Sequence, residues 1–255
     1  MKVYVLIGLV AGAIAMSPLV PQVSGQGKGK SQASRPAPAP RLPNGKPDFS
    51  GVWSPPRMAD VTKDSACCKG VGELPYTEWG KQKWESYAAE EGDYAGACLP
   101  FGLLRSVGGP HPVQIMQSDK YIAFLWEQNS WFHVTPIGRP HPKDPEPATW
   151  FGNSVARWDG DTLVIDSIGF NGWTRIDTIG HPVSSQLHTI ERYRRPDLNH
   201  IEYVLTIDDP QAYTKPWDSA RTWTLQPDWE IMEYSCEENN KSLWEGRIKV
   251  PVLSQ

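Results

Sequence analysis

The stretch Asn153-Ser154-Val155-Ala156-Arg157-Trp158-Asp159-Gly160-Asp161-Thr162-Leu163-Val164-Ile165-Asp166-Ser167-Ile168-Gly169-Phe170 decides the fold. Two strand-like runs, 153–158 and 162–170, flank Asp159-Gly160, the strongest hairpin signal in the chain, because glycine takes the positive φ that tight hairpin turns demand. The same unit recurs outward in both directions. Runs 112–117 and 120–126 flank Ser118-Asp119, and 131–137 follows Gln128-Asn129-Ser130. Runs 187–194 and 201–207 flank Pro196-Asp197-Leu198-Asn199, and 221–225 and 230–236 flank Pro227-Asp228. With a short run at 51–53 this makes about ten strands joined mainly as antiparallel neighbours.

Helix is limited, as 22 Gly and 24 Pro require. The one convincing segment is 77–91 (TEWGKQKWESYAAEE), with Thr77 as N-cap and Trp79, Lys83 and Tyr87 near one face. The pattern predicts an all-β chain: an antiparallel barrel of about 8–10 strands with one short N-terminal helix. Asp48-Phe49-Ser50-Gly51-Val52-Trp53 resembles the Gly-x-Trp opening strand of lipocalin-like (calycin-type) barrels.

The ends of the chain read differently from its body. Lys2 followed by the apolar run 3–15, with small residues at 13/15 and 23/25, predicts a signal peptide over 1–25. Residues 26–46, rich in Pro, Ala, Gly and Ser, read as a flexible leader, and 47–255 as a single barrel domain. The expected location is therefore periplasmic or extracellular. No apolar run of about 18 residues follows the leader, so no membrane span is expected. Six of the 25 basic residues and none of the 29 acidic ones precede Asp48, which leaves the rest of the chain at a net −10. A body that acidic repels a phosphate backbone, and nucleic acid is excluded as a partner. The oligomeric state is not legible.

Four cysteines, Cys67, Cys68, Cys98 and Cys236, allow three connectivities. Cys98–Cys236 is favoured as a long-range staple. The vicinal pair is then free, self-bonded or joined to another chain.

Period-2 alternation sorts the side chains onto faces. Ile201, Tyr203, Leu205 and Ile207 share an apolar face. Leu187, Thr189, Glu191 and Tyr193 share another, which puts Glu191 on the apolar side, while His188 falls with Ile190, Arg192 and Arg194. The same sorting groups Asp166 with Val164, Ile168 and Phe170, Glu233 with Ile231, His133 with Trp131 and Ile137, and Arg157 with Val155. Carboxylates converging with one Arg and one His suit an acid–base site or a polar ligand pocket. Glu191 is the expected acid or base, with Asp166, His188 or His181 as its complement. Arg157, His133, Glu233, Trp150 and Tyr213 are the expected substrate contacts.

No metal or other cofactor is expected, although a His181/His188/Glu191 set is the arrangement that would hold a metal. No nucleophile elbow, Walker loop, dinucleotide fingerprint or His-Glu-x-x-His occurs, which disfavours the corresponding hydrolases, nucleotide enzymes and zincins.

Trp150-Phe151-Gly152-Asn153-Ser154, the run from Trp158 to Asp166, Tyr213-Thr214-Lys215-Pro216-Trp217 and Glu233-Tyr234-Ser235-Cys236-Glu237-Glu238-Asn239 resemble a largely uncharacterised family of exported bacterial β-rich proteins. The resemblance spans about residues 47–240. It implies that the Cys98 and Cys236 segments belong to one shared body, in keeping with their pairing. Family members often carry a second His at the position of Val183, and its absence here counts against a centre in the His181 loop.

The expected function is that of an exported barrel holding a phenolic, terpenoid or sugar-like molecule in an aromatic- and carboxylate-lined cavity. Cofactor-independent lyase, isomerase or hydrolase chemistry is expected there. Binding or transport without turnover is the alternative.

Overall fold

A computed structural model describes residues 36–65, 68–88, 93–143, 147–238 and 240–248. The proposed signal peptide and Cys67 lie outside the described residues. Among the described residues nine strands form one sheet: β1 (Gly51–Ser54), β2 (Val113–Gln117), β3 (Tyr121–Trp126), β4 (Trp131–Pro136), β5 (Asn153–Asp159), β6 (Thr162–Ile168), β7 (His188–Arg194), β8 (His200–Asp208) and β9 (Trp217–Leu225). Every strand pairs antiparallel with its chain neighbour from β1 to β4 and from β5 to β9, and β9 pairs back onto β1.

An odd meander can close only through one parallel contact. It falls between β4 and β5, where Ile137 bridges Ala156 in parallel and the Gly138 N–H donates to the Ala156 carbonyl at 2.7 Å. β4 and β5 run in the same direction there. The result is a nearly closed, lipocalin-like barrel, as the hairpin pattern predicts.

Nine of the ten expected runs are strands. The exception is 230–236, which has no ladder: Trp229 and Met232 are 51% and 71% exposed, so the segment buries no face that would hold it on the sheet. The Asp159-Gly160 signal produces the β5–β6 hairpin, with Asp159 paired to Thr162 and Gly160 at φ +59°.

The two barrel ends differ in kind. One carries the short connections 118–120, 160–161 and 195–199. Residues 37–46, placed in the leader by composition, bond to these turns: Arg41 forks onto Asp161 at 2.6 and 3.0 Å, Asn44 reaches Asp119, and the Ala37 carbonyl accepts from Leu198 N–H. The other end carries the long connections 55–112, 169–187 and 209–216. Within them lie α1 (Glu78–Glu85), capped by Thr77 Oγ1 on the Gly80 N–H at 3.0 Å, and α2 (Gly102–Val107). A last short helix, α3 (Lys241–Trp244), follows the Cys98–Cys236 disulfide that ties the C-terminal segment to this loop layer.

Aromatic rings occupy the barrel interior. Tyr193, Tyr203 and Trp223 lie 5.0–5.6 Å apart by ring centroid, with Phe124 5.5 Å from Tyr193. Trp126 Nε1, Trp223 Nε1, Thr135 Oγ1 and Thr189 Oγ1 are buried without protein partners, the situation that ordered water ordinarily resolves.

Candidate functional site

The expected convergence of Glu191, Asp166 and Arg157 is not what the fold produces. On β7, Thr189, Glu191 and Tyr193 do face inward. On β6, however, the inner face is Leu163, Ile165 and Ser167, so Asp166 shares the outer face with Val164 as sorted, and that face is the outside. Arg157 is exposed on the outer face of β5. Glu233 is exposed on the strandless C-terminal segment.

Glu191 is 1% exposed and its Oε1 accepts from Tyr193 Oη at 2.7 Å and Tyr203 Oη at 2.9 Å. Burial pushes its carboxyl up to about 7, against the two phenol bonds and the nearby Arg221 guanidinium. Arg221 in turn donates to the Val107 carbonyl and Ser219 Oγ. Glu191 thus belongs to a sealed interior network.

Asp166 and His188 do meet, but on the outside. Asp166 Oδ1 is 3.1 Å from His188 Nε2 and 2.9 Å from His141 Nε2, all three partly exposed. His133 is buried between Phe124 and Phe151 and borders a neighbouring crevice of about 510 Å³ with Arg139 and His141. Burial lowers its imidazole to about 4, so it is neutral at physiological pH. Trp150 packs against Trp173 at 5.6 Å beside a crevice of about 640 Å³. The three members of the sequence-proposed metal set, His181, His188 and Glu191, have separate surroundings.

No known protein family, curated protein or solved structure matches this chain. The site must therefore be judged on its own chemistry.

The arrangement with most chemical potential lies in the loop layer, around His181. The segment Asp177-Thr178-Ile179-Gly180-His181 is a tight turn with Asp first and Gly fourth. Gly180 sits at φ +90°, where a Cβ would be 1.9 Å from the Tyr87 ring, so only glycine brings His181 back over Asp177. His181 is 1% exposed, and its Nδ1 is 2.5 Å from Tyr76 Oη. Its Nε2 has no hydrogen-bond partner and lies 3.5 Å from Asp60 Oδ1 and 3.6 Å from Asp177 Oδ2.

Both carboxylates are held from behind. Asp60 Oδ1 accepts from Thr62 Oγ1 at 2.6 Å and Thr62 N–H at 3.0 Å, and Oδ2 pairs with Lys63 at 2.9 Å. Burial raises the Asp60 carboxyl, but these bonds outweigh it and bring the group down to about 2. Asp177 Oδ2 accepts from the Val61 N–H at 2.8 Å. Burial raises Asp177 despite that bond and the facing imidazole. Desolvation and the two carboxylates keep the Tyr76 phenol protonated.

Above this floor opens a crevice of about 650 Å³ lined by Thr62, Glu73, Leu74, Tyr76, Lys81, Trp84 and His181, among others. Tyr76 and Trp84 stack at 5.6 Å and 16°, and Tyr213, hydrogen-bonded to the Pro182 carbonyl, stacks behind Tyr76 at 5.4 Å. α1 carries Lys81 and Trp84 to the rim, and Gly80 seats the helix directly on the Ala212 carbonyl. Of the sequence candidates, His181 and Tyr213 belong here; the resemblance counted Val183 against a centre in this loop, but two carboxylates rather than a second imidazole face His181 Nε2. Asp60, Tyr76, Lys81, Trp84 and Asp177 were not foreseen.

Proposed function

We propose that this is an exported barrel protein that binds a phenolic or related aromatic molecule in the crevice over His181 and acts on it by acid–base chemistry. The carrying observation is the buried, unpartnered His181 Nε2 between two carboxylates, at the floor of an aromatic-walled opening. The volume is that of a small-molecule site. The exposed Trp84 face offers a stacking surface, and the Lys81 ammonium at the rim suits a phenolate or carboxylate substituent.

The proton-handling centre is the His181–Asp177–Asp60 cluster, with Tyr76 fixing the imidazole through Nδ1. Histidine is the side-chain type most often used for general acid–base proton transfer. Lyase, isomerase or hydrolase chemistry is compatible with it. Export is supported by the N-terminal sequence pattern and the Cys98–Cys236 disulfide. Among the described residues no helix is long and apolar enough to cross a membrane.

The test is a panel of phenols, terpenoids and sugars followed by Trp fluorescence and by product analysis. Saturable quenching by phenols, with a product that His181→Gln fails to make, is the expected result. Quenching without product identifies a binding or transport protein. No saturable ligand in any class would sink the crevice reading.

A further inference from the structure

We infer that the floor of this crevice is a binding site for one divalent transition-metal ion, ligated by His181 Nε2 and by one carboxylate oxygen each of Asp60 and Asp177. The inference deepens the reading of the crevice as the working site and rests on it. Each of the three side chains offers one donor atom, and all three donors lie within 4.8 Å of one another.

The separations from Nε2 fit a metal centre. A buried imidazolium closes on a carboxylate to about 2.7–2.9 Å. Nε2 instead stands 3.5 and 3.6 Å from the two oxygens. Donors about 2.0–2.2 Å from a tetrahedral ion are separated by about 3.4 Å along the edges of the tetrahedron, close to the spacing found. The independent sign is Nε2 itself: a polar atom on a side chain only 1% exposed, facing both carboxylates at 3.5 and 3.6 Å without a hydrogen-bond partner.

The surrounding bonds are those a metal site needs. Tyr76 Oη at Nδ1 fixes the ring and leaves Nε2 as the ligand. The Val61 N–H orients Asp177 and leaves a lone pair on its Oδ2, while the two Thr62 donors hold Asp60 through Oδ1 and leave its buried Oδ2 without a hydrogen bond. One imidazole with two carboxylates suits Zn2+ and its first-row neighbours better than Ca2+ or Mg2+, which take all-oxygen shells. Three protein ligands leave a fourth position toward the crevice that His181 borders. Water there would be acidified by the ion, and it would take over the proton transfer assigned to the cluster.

The experiment uses the purified protein stripped with EDTA and titrated with ZnCl2 by calorimetry, with metal analysis after dialysis. The expected result is one Zn2+ per chain and no comparable binding of Ca2+ or Mg2+. Asp60→Asn, at a loop position that keeps its Thr62 contacts, should weaken Zn2+ roughly 100-fold or more while leaving the circular dichroism spectrum unchanged. His181→Gln should do the same if it folds. His188→Ala should change nothing. Absence of stoichiometric Zn2+ overturns the inference, as does Zn2+ that persists in Asp60→Asn or disappears in His188→Ala, which would place it on the His141–Asp166–His188 cluster. Trp84→Ala keeps the two readings apart, since it should weaken phenol binding at least about tenfold and retain Zn2+. Phenol binding without Zn2+ defeats only the metal site, and Zn2+ without any phenol defeats only the ligand reading.

Discussion

The barrel interior around Glu191 and the loop layer around His181 both bury an ionisable group, and they solve the problem in opposite ways. Glu191 is enclosed by Tyr193, Tyr203 and Arg221, with both phenol hydroxyls spent on one carboxylate oxygen. His181 has one nitrogen bonded to Tyr76 and the other left open between two acids, beneath a crevice. A buried charge is therefore a weak sign of function by itself. What separates the two regions is unsatisfied bonding capacity next to an opening.

The sharpest way to separate loop layer from barrel is to release the staple. Cys98 and Cys236 are 138 residues apart, and a loop of that size implies about 5 kcal/mol of stabilisation. Serine at both positions should lower the unfolding free energy in urea by that order and loosen the crevice before the strands melt, read as loss of ligand quenching ahead of the far-ultraviolet signal.

The interior makes a pH prediction. Glu191's folded value lies above its unfolded one, so its contribution is fully present below the ordinary glutamate range and is lost as pH rises through about 7. Roughly 3 kcal/mol, the equivalent of the upward shift, should disappear between about pH 4 and 8. Glu191→Gln should flatten that slope in denaturant titrations. A wild-type slope that survives the substitution would assign it to other groups.

Two smaller changes probe each region locally. Gly80→Ala sets a Cβ 2.1 Å from the Ala212 carbonyl, so α1 must shift. The expected cost is about 2 kcal/mol, with ligand affinity falling more than stability does, since Trp84 and Lys81 ride on that helix. Tyr203→Phe removes one bond to Glu191 at a cost of about 1.5 kcal/mol. That bond favours the ionised form, so the loss should be greater at pH 9 than at pH 6.

The sheet was legible because its signals are local. Alternation and turn residues placed nine strands, and on β7 and β8 they also identified the inward side chains. On β6 they grouped Asp166 correctly but could not say which face was inside: Leu163, Val164 and Ile165 are all buried, so hydrophobicity does not distinguish the faces. Arg157 was lost to the same ambiguity across the β5 hairpin. The segment 230–236 has strand-like residues without a partner edge. In the loop layer, His181 stood out as a histidine, and the Asp177-x-x-Gly180 turn beside it was readable in retrospect. Asp60 and Tyr76 come from a connection far upstream, and no periodicity links them to His181. Their meeting is a tertiary fact.

The most direct measurement is the affinity of one quenching phenol for Trp84→Ala and Glu191→Gln, side by side with the unaltered protein at pH 7. If the working site is the crevice over His181, Trp84→Ala weakens binding at least about tenfold, as loss of an aromatic stacking contact implies, and Glu191→Gln leaves it within about twofold. Binding lost with Glu191→Gln and kept with Trp84→Ala would place the ligand inside the barrel and contradict the account.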